Sequence, residues 1–362
     1  MSACLESAHS LSATKEKIIF VTGASRSGTT LLSFVLRNHE QILGLAELQY
    51  FGDFFDPRVD AINVSERQLL KAIAAVFLRH EAGMRKGRLE ACDRNMEMVC
   101  AERAKKLLSK LPKSEHTPCA VFAAAIEELT DEAGKSIPCE QTPRNIFYAE
   151  ALLEHYPEAH VVHMMRDPRA VMASQKKRWK RRKLLANRAA LPGRDALRAW
   201  VNYHPYTMAT LWDRATGEAM RLRSHPRFHI VRFEDLLERP EPTIRNLCKE
   251  LGIDFQAQML NIQQINSSHE SSARGARSGF NPQAVHAWKQ TLHPGEISVT
   301  ERMCRKKMQL NGYSPIATGP ALMGELRCAG SYIFHATAVL AVNPMRAWIQ
   351  LRALLGGKSK RI

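Results

Sequence analysis

No C-x-x-C pair occurs among the eight cysteines of this 362-residue chain. Their scatter argues against a zinc cage and a dense disulfide framework, and it fits a reducing compartment. Residues 1–16 lack the apolar core of a secretory signal, so they read as a polar leader and the chain as cytoplasmic. Acidic residues are in deficit: 36 Asp+Glu stand against 52 Lys+Arg, a formal charge of +16. That balance favours anionic ligands, whether nucleotides, nucleic acid, acidic sugars or lipid headgroups, without choosing among them. No internal repeat is visible, and no cluster of carboxylates is suited to a metal.

What is present is the material of an ordinary globular protein, 45% hydrophobic and 24% charged. Lys17–Thr22 reads as a buried strand, Thr29–Asn38 as a helix with Leu31, Leu32, Val35 and Leu36 on its apolar face, and Ile42–Ala46 as a short apolar stretch ending at Glu47. Residues 65–79 read as a helix opened by a capping box, Ser65 with Gln68. Helices follow over 94–111 and 119–134, then a short strand ending near Pro138–Glu140 and a helix over Asn145–His155. His160–Met165 and Phe228–Arg232 are apolar strands; Pro168 opens a helix that runs towards Arg182, and Pro242–Leu251 is a helix stopped by Gly252. Strands alternating with helices predict an α/β fold, a parallel sheet with helices on both faces. The expected division is the leader 1–16, one α/β domain over 17–320, and a C-terminal helical, basic segment over 321–362.

Gly23 and Gly28 are separated by four residues, between a strand and a helix, as in a phosphate-binding loop (P-loop). There, successive backbone N–H groups and the helix N-terminus form a concave anion site. Ser25, Arg26, Ser27, Gly28, Thr29 and Thr30 would supply those donors. An NTP-hydrolysing loop needs lysine after the second glycine, and here that position holds Thr29. A loop with Arg26 inside it and two threonines after it suits one phosphate with an adjoining transferable group, rather than a triphosphate with its metal.

The string RSGTTLL resembles the 5′-phosphosulfate loop of sulfotransferases that use 3′-phosphoadenosine 5′-phosphosulfate (PAPS). HVVHMMRDPRAVMASQKKR, residues 160–178, resembles their 3′-phosphate motif: a strand, then Arg-Asp-Pro-Arg, then a serine eight residues after the first arginine. CEQTPRN, LLEHYPEAHVVHM and HIVRFEDLLERP resemble the family's intervening and later segments, so the likeness covers roughly 17–313 and is nearest to the bacterial branch similar to tyrosylprotein sulfotransferases. The resemblance implies a sulfotransferase-like fold, PAPS as co-substrate, 3′,5′-adenosine diphosphate (PAP) as product and no required metal. It assigns the loop to the 5′-phosphosulfate, and Arg166, Ser174 and Arg178 to the 3′-phosphate. The structural alternative for Arg166 is an ion pair with Asp167 or Glu234. A weaker likeness places Arg277 in a loop closing over the 3′-phosphate, ahead of Trp288-Lys289.

Sulfuryl transfer, like phosphoryl transfer, passes a group in line between two oxygens, with charge collecting on the leaving oxygen. Arg26 and the helix terminus would stabilise that charge. Glu47 stands 21 residues after Arg26, the separation at which tyrosylprotein sulfotransferases carry their catalytic glutamate, and so is the expected base for the acceptor hydroxyl; the bland reading is an exposed strand-end carboxylate. His39 is expected on the surface of the loop helix and His163 as a satisfied core residue. Many relatives have lysine where this chain has Gln141, leaving either Arg144 as a substitute or a differently built site.

KKRWKRRK, residues 176–183, is either a solvated helix face or a rim recruiting anions. The tail has an uncharged stretch, Ala329–Pro344, too short to span a bilayer. After it MRAWIQLRALL reads as an amphipathic helix. Core packing or a homo-oligomer contact is one reading of this tail, and peripheral attachment to the inner membrane face is the other. The sequence therefore predicts a PAPS-dependent sulfotransferase acting on a hydroxyl of a carbohydrate, lipid or small metabolite. The rivals are a P-loop nucleotide kinase and a non-catalytic nucleotide- or nucleic-acid-binding protein; the Arg166/Ser174 pairing favours a nucleotide over nucleic acid.

Overall fold

The computed structural model describes residues 17–58, 64–82, 94–177, 197, 200–262, 279–316 and 321–342. Arg178, Arg277, most of the basic run, residues 263–278 and the segment after Val342 lie outside them.

Phe20 packs into one core and its neighbours Ile19 and Val21 into another, because successive strand residues face opposite sides of a sheet. A strand buried on both sides reads as a mostly apolar run without alternation, as in β1 (Ile19–Gly23) and β4 (His160–Met165), while β3 (Ile137–Gln141) is equally buried but ends in the polar pair Glu140 and Gln141. With β2 (Ile42–Gly44) and β5 (Phe228–Arg232) they form a five-stranded sheet in the order β2-β3-β1-β4-β5. All its pairings are parallel, with Val21 opposite Gln141 on one side of β1 and Val162 on the other.

One face is covered by α1 (Thr29–Arg37) through Leu32, Val35 and Leu36, and by the helix Pro240–Leu251 through Ile244, Leu247 and Leu251. The other face carries the larger core. Phe77 comes from Glu66–Glu81, Phe122 from Pro118–Glu132 and Trp212 from Pro205–Arg221. Phe20, Tyr50, Phe51, Phe122 and Tyr156 make an aromatic cluster there, Tyr50 and Phe122 with ring centroids 4.7 Å apart. The capping box at Ser65 forms as the sequence predicts, with Gln68 bonding back to the Ser65 amide at 2.9 Å.

The sheet order matters for function. The chain leaves β1 for the β2 edge, returns to β3 beside β1, then crosses to β4 on the other side. The C-terminal ends of β1, β3 and β4 thus stand together where the winding reverses, the place where open α/β sheets bind ligands. A long helix, Leu322–Val342, lies on the outside of this domain. No described helix is long and apolar enough to cross a membrane.

Candidate active site

The loop after β1 turns through residues of unusual backbone geometry. Arg26 has φ 79° and Gly28 φ 105°. Positive φ is strained for an arginine, and such residues persist where the surrounding structure over-determines them, commonly at functional sites. At Gly28 a side chain is excluded twice: the backbone disfavours one, and a Cβ would come within 2.4 Å of the Phe233 ring. Ser27 is fully buried, and its hydroxyl has no partner among the described residues. A buried hydroxyl without a partner is costly, and an anion in the loop would relieve it.

The two motifs, 140 residues apart in sequence, meet in space. Arg166, at the end of β4, donates from Nη1 to the carbonyl oxygen of Arg26 at 2.9 Å. Ser174, on the helix Pro168–Lys176, accepts from Nε of Arg26 at 3.2 Å. One residue on, Gln175 donates to the Ser25 hydroxyl at 3.2 Å. Arg166 is buried with its guanidinium 3.9 Å above the Phe233 ring, so the same phenylalanine that fits against Gly28 also supports Arg166.

The other residues of Arg-Asp-Pro-Arg explain the fit. Asp167 caps the helix, accepting from the Arg169 amide at 2.8 Å, and it pairs with the Arg169 side chain at 2.7 Å. Arg169 also reaches Glu301 at 2.7 Å and lies over Trp288 at 4.2 Å. Glu234 accepts from the Asp167 amide at 3.0 Å and the Tyr313 hydroxyl at 2.9 Å, and burial raises its pKa. The carboxylates weighed as partners of Arg166 are therefore engaged by other groups, and Trp288 serves this buried brace.

Glu47 is half-buried just beyond β2, accepting from its neighbour Gln49 at 2.7 Å. Its segment is held by a carboxyl that sequence reasoning passed over. Glu140, 1% exposed at the end of β3, accepts from the Leu48 amide at 3.1 Å and from Asn145 at 2.9 Å, and also from the Thr142 hydroxyl. Thr142 in turn accepts from the Gln49 amide at 3.0 Å. Burial, with Glu47 nearby, pushes the Glu140 pKa up to about 7 against these hydrogen bonds. A glutamate within a short apolar strand was the available signal.

Gln141 ties β3 to the loop, donating to Thr29 at 3.0 Å and accepting from Thr30 at 3.4 Å. Arg144 does not reach into the loop: it pairs with Asp53 at 2.5 Å and bonds the carbonyls of Gln49 and Phe51. The geometry thus gives the lysine position's neighbours to an uncharged amide. His163 is a satisfied core residue, 3.4 Å from the Thr22 hydroxyl, its pKa lowered by burial to about 3. His39 corrects an expectation. It is 1% exposed rather than on the surface, because its ring bonds the Asp254 carbonyl at 3.0 Å and receives the Gln41 amide at 3.2 Å, fastening α1 to the loop after the Pro240–Leu251 helix. No group of three or more potential metal ligands is found among the described residues.

Residues 19–257 match the family model described as "Sulfotransferase family". The chain is similar to nodulation protein NoeE of Sinorhizobium fredii, 28% identical over 247 residues, covering 66% of this chain and 50% of that protein. It is likewise 28% identical over 170 residues to human carbohydrate sulfotransferase 6, covering 43% of this chain and 42% of the relative. The chain therefore spans about half the length, or less, of these curated relatives. Among solved structures, the sulfotransferase domains of the Synechococcus PCC 7002 olefin synthase and of the curacin biosynthetic pathway each align with a TM-score of 0.50. Identities there are 17% and 18%, over 83% of this chain and 96% and 99% of theirs, a likeness of fold.

Proposed function

The chain belongs to the sulfotransferase family, and from that premise we propose that it moves a sulfuryl group from PAPS to a hydroxyl acceptor. The observation that carries this reading is the junction of the two motifs, Arg166 on the Arg26 carbonyl and Arg26 on Ser174. One pocket with cationic and hydroxyl donors at both motifs fits a nucleotide carrying anions at both ends. The Ser27 hydroxyl, without a partner among the described residues, and the positive-φ turn at Arg26 fit a phosphate in the loop.

In this proposal Ser25, Ser27, Thr29, Thr30 and the loop amides hold the 5′-phosphosulfate, while Arg166 and Ser174 hold the 3′-phosphate. Arg178 and Arg277 are assigned to the 3′-phosphate by family likeness alone. Bound there, PAPS supplies the sulfuryl group. Glu47 takes the proton of the acceptor hydroxyl onto a carboxylate oxygen. Arg26 meets the charge that collects on the departing phosphate oxygen. Gln141 orients Thr29 and Thr30 and contributes hydrogen bonds without charge. The acceptor class best supported is a carbohydrate hydroxyl, since the human relative is named a carbohydrate sulfotransferase; a lipid or small-metabolite hydroxyl remains within the same chemistry.

The test is to incubate the full chain with PAPS and a panel of hydroxyl compounds in excess chelator, following PAP release and the mass gain of one SO₃ group on an acceptor. PAP release matched by sulfated product is expected. Turnover of ATP with magnesium, and none of PAPS, would move the assignment to a kinase.

A further inference from the structure

We infer that the outer face of the helix Leu322–Val342 is a docking surface for an anionic lipid bilayer. None of the residues of this helix is buried, although its composition is that of a core element: Glu325 and Arg327 are its only charged residues. With successive residues about 100° apart around a helix, Leu322, Leu326, Ile333 and Leu340 fall in one stripe, with Met323 and Phe334 beside it. All six are exposed, Ile333 at 73% and Phe334 at 60%.

The opposite side holds the helix to the protein. Gly324 crosses Gly295 so closely that a Cβ on Gly295 would lie 2.3 Å from the Gly324 carbonyl carbon. Glu325 accepts from Ser298 and pairs with Arg302 at 3.2 Å. Ser331 meets His204 at 3.2 Å, and His335 approaches the Val201 carbonyl at 3.4 Å. Tyr332 and His335 add ring contacts with His204, Tyr206 and Trp200 on the anchored side, while the six large aliphatic and phenyl side chains named above stay exposed. That is the reverse of a helix folded to bury its hydrophobic side against its own domain. A contiguous exposed apolar stripe of this kind marks an interaction site.

Charge selects the occupant. Residues 343–362 contribute Arg346, Arg352, Lys358, Lys360 and Arg361 and no acidic residue, on a chain with net charge +16. Two copies meeting through this face would bring like charges together, whereas an anionic bilayer complements both the apolar stripe and the cations after it. A helix lying in the interface plane needs no spanning length.

The test uses the full chain and two sets of vesicles: phosphatidylcholine alone, and phosphatidylcholine with about a quarter phosphatidylglycerol. Co-sedimentation with the anionic vesicles is expected, weakening with salt, and at least about tenfold weaker with the neutral ones. The double variant Ile333→Asp/Phe334→Asp should lose binding at least about tenfold, since it puts two charges where apolar side chains would leave water. Its thermal melt should stay unchanged because both positions are solvent-exposed; if it nevertheless misfolds, Leu340→Asp gives the same reading. Met98→Asp, an exposed apolar position on another helix, should bind like the parent. Absence of binding to anionic vesicles, equal loss in Met98→Asp, or a dimer in solution that Ile333→Asp/Phe334→Asp dissociates would each overturn the inference, the last giving the face to a second copy.

Discussion

Glu47 and Glu140 stand 93 residues apart in sequence, one proposed to take the acceptor's proton and the other holding the segment beside it, and the difference between them is testable one side chain at a time. Glu47→Gln keeps the shape and a hydrogen-bond acceptor but removes the proton acceptor. Turnover is expected to fall by about 10²–10⁴-fold with PAP affinity unchanged, read by single-turnover kinetics beside calorimetry; unchanged turnover would remove Glu47 from the mechanism. Glu140 titrates in the fold near pH 7 against an ordinary 4.5. Its carboxyl is therefore bound more tightly to a proton in the folded than in the unfolded chain. The stability it contributes is full below about pH 4.5 and is lost as pH rises through about 7. Glu140→Gln should flatten that decline, measured as urea unfolding free energy at pH 5 and pH 8; the same slope in both proteins would contradict it. The variant is expected to fold, because Asn145 Oδ1 has no partner among the described residues and can accept from the new amide after a flip. At this scale, sequence made legible what is encoded in contiguous strings, RSGTT and Arg-Asp-Pro-Arg. It missed Glu140, whose meaning depends on a backbone segment brought to it from 92 residues away, and it misplaced His39, whose partners come from another part of the chain.

Elements were legible where burial alone dictates the pattern. Strands β1, β4 and β5 are covered on both faces, so their apolar runs give nearly the right limits, and the Ser65 capping box and the Gly252 stop are local signals. The helices Pro205–Arg221 and Pro294–Leu310 were not, because each mixes apolar residues with Thr, Gly and charged positions, and pairs chiefly with the other. Nor does periodicity reveal the Gly295–Gly324 crossing, since neither glycine is required by its own helix. Gly295→Ala should push the Leu322–Val342 helix off the domain. Limited trypsin digestion should then cut at Arg327 faster by about tenfold, the local opening having become easier. PAP affinity should hold, as the crossing lies outside the pocket; parent-like digestion would show that the contact bears no load.

Across the whole molecule, a charge of +16 does no more than favour anionic ligands. The sheet order turns that into a place, by bringing the ends of β1, β3 and β4 to one point where the chain reverses its winding. The two motifs could be read separately from sequence, yet that Arg166 and Ser174 both touch Arg26 is a product of topology. The central claim is that this junction is one pocket for a nucleotide phosphorylated at both ends. Charged hydrogen bonds contribute ~1.5–3 kcal/mol each, so losing one should cost roughly ten- to a hundredfold in affinity. Calorimetric titration of the full chain with PAP and with AMP tests this most directly. The account predicts one PAP per chain, bound at least about tenfold more tightly than AMP, with Arg166→Ala erasing the difference. Equal affinity for the two nucleotides, or a preference that survives Arg166→Ala, would contradict it.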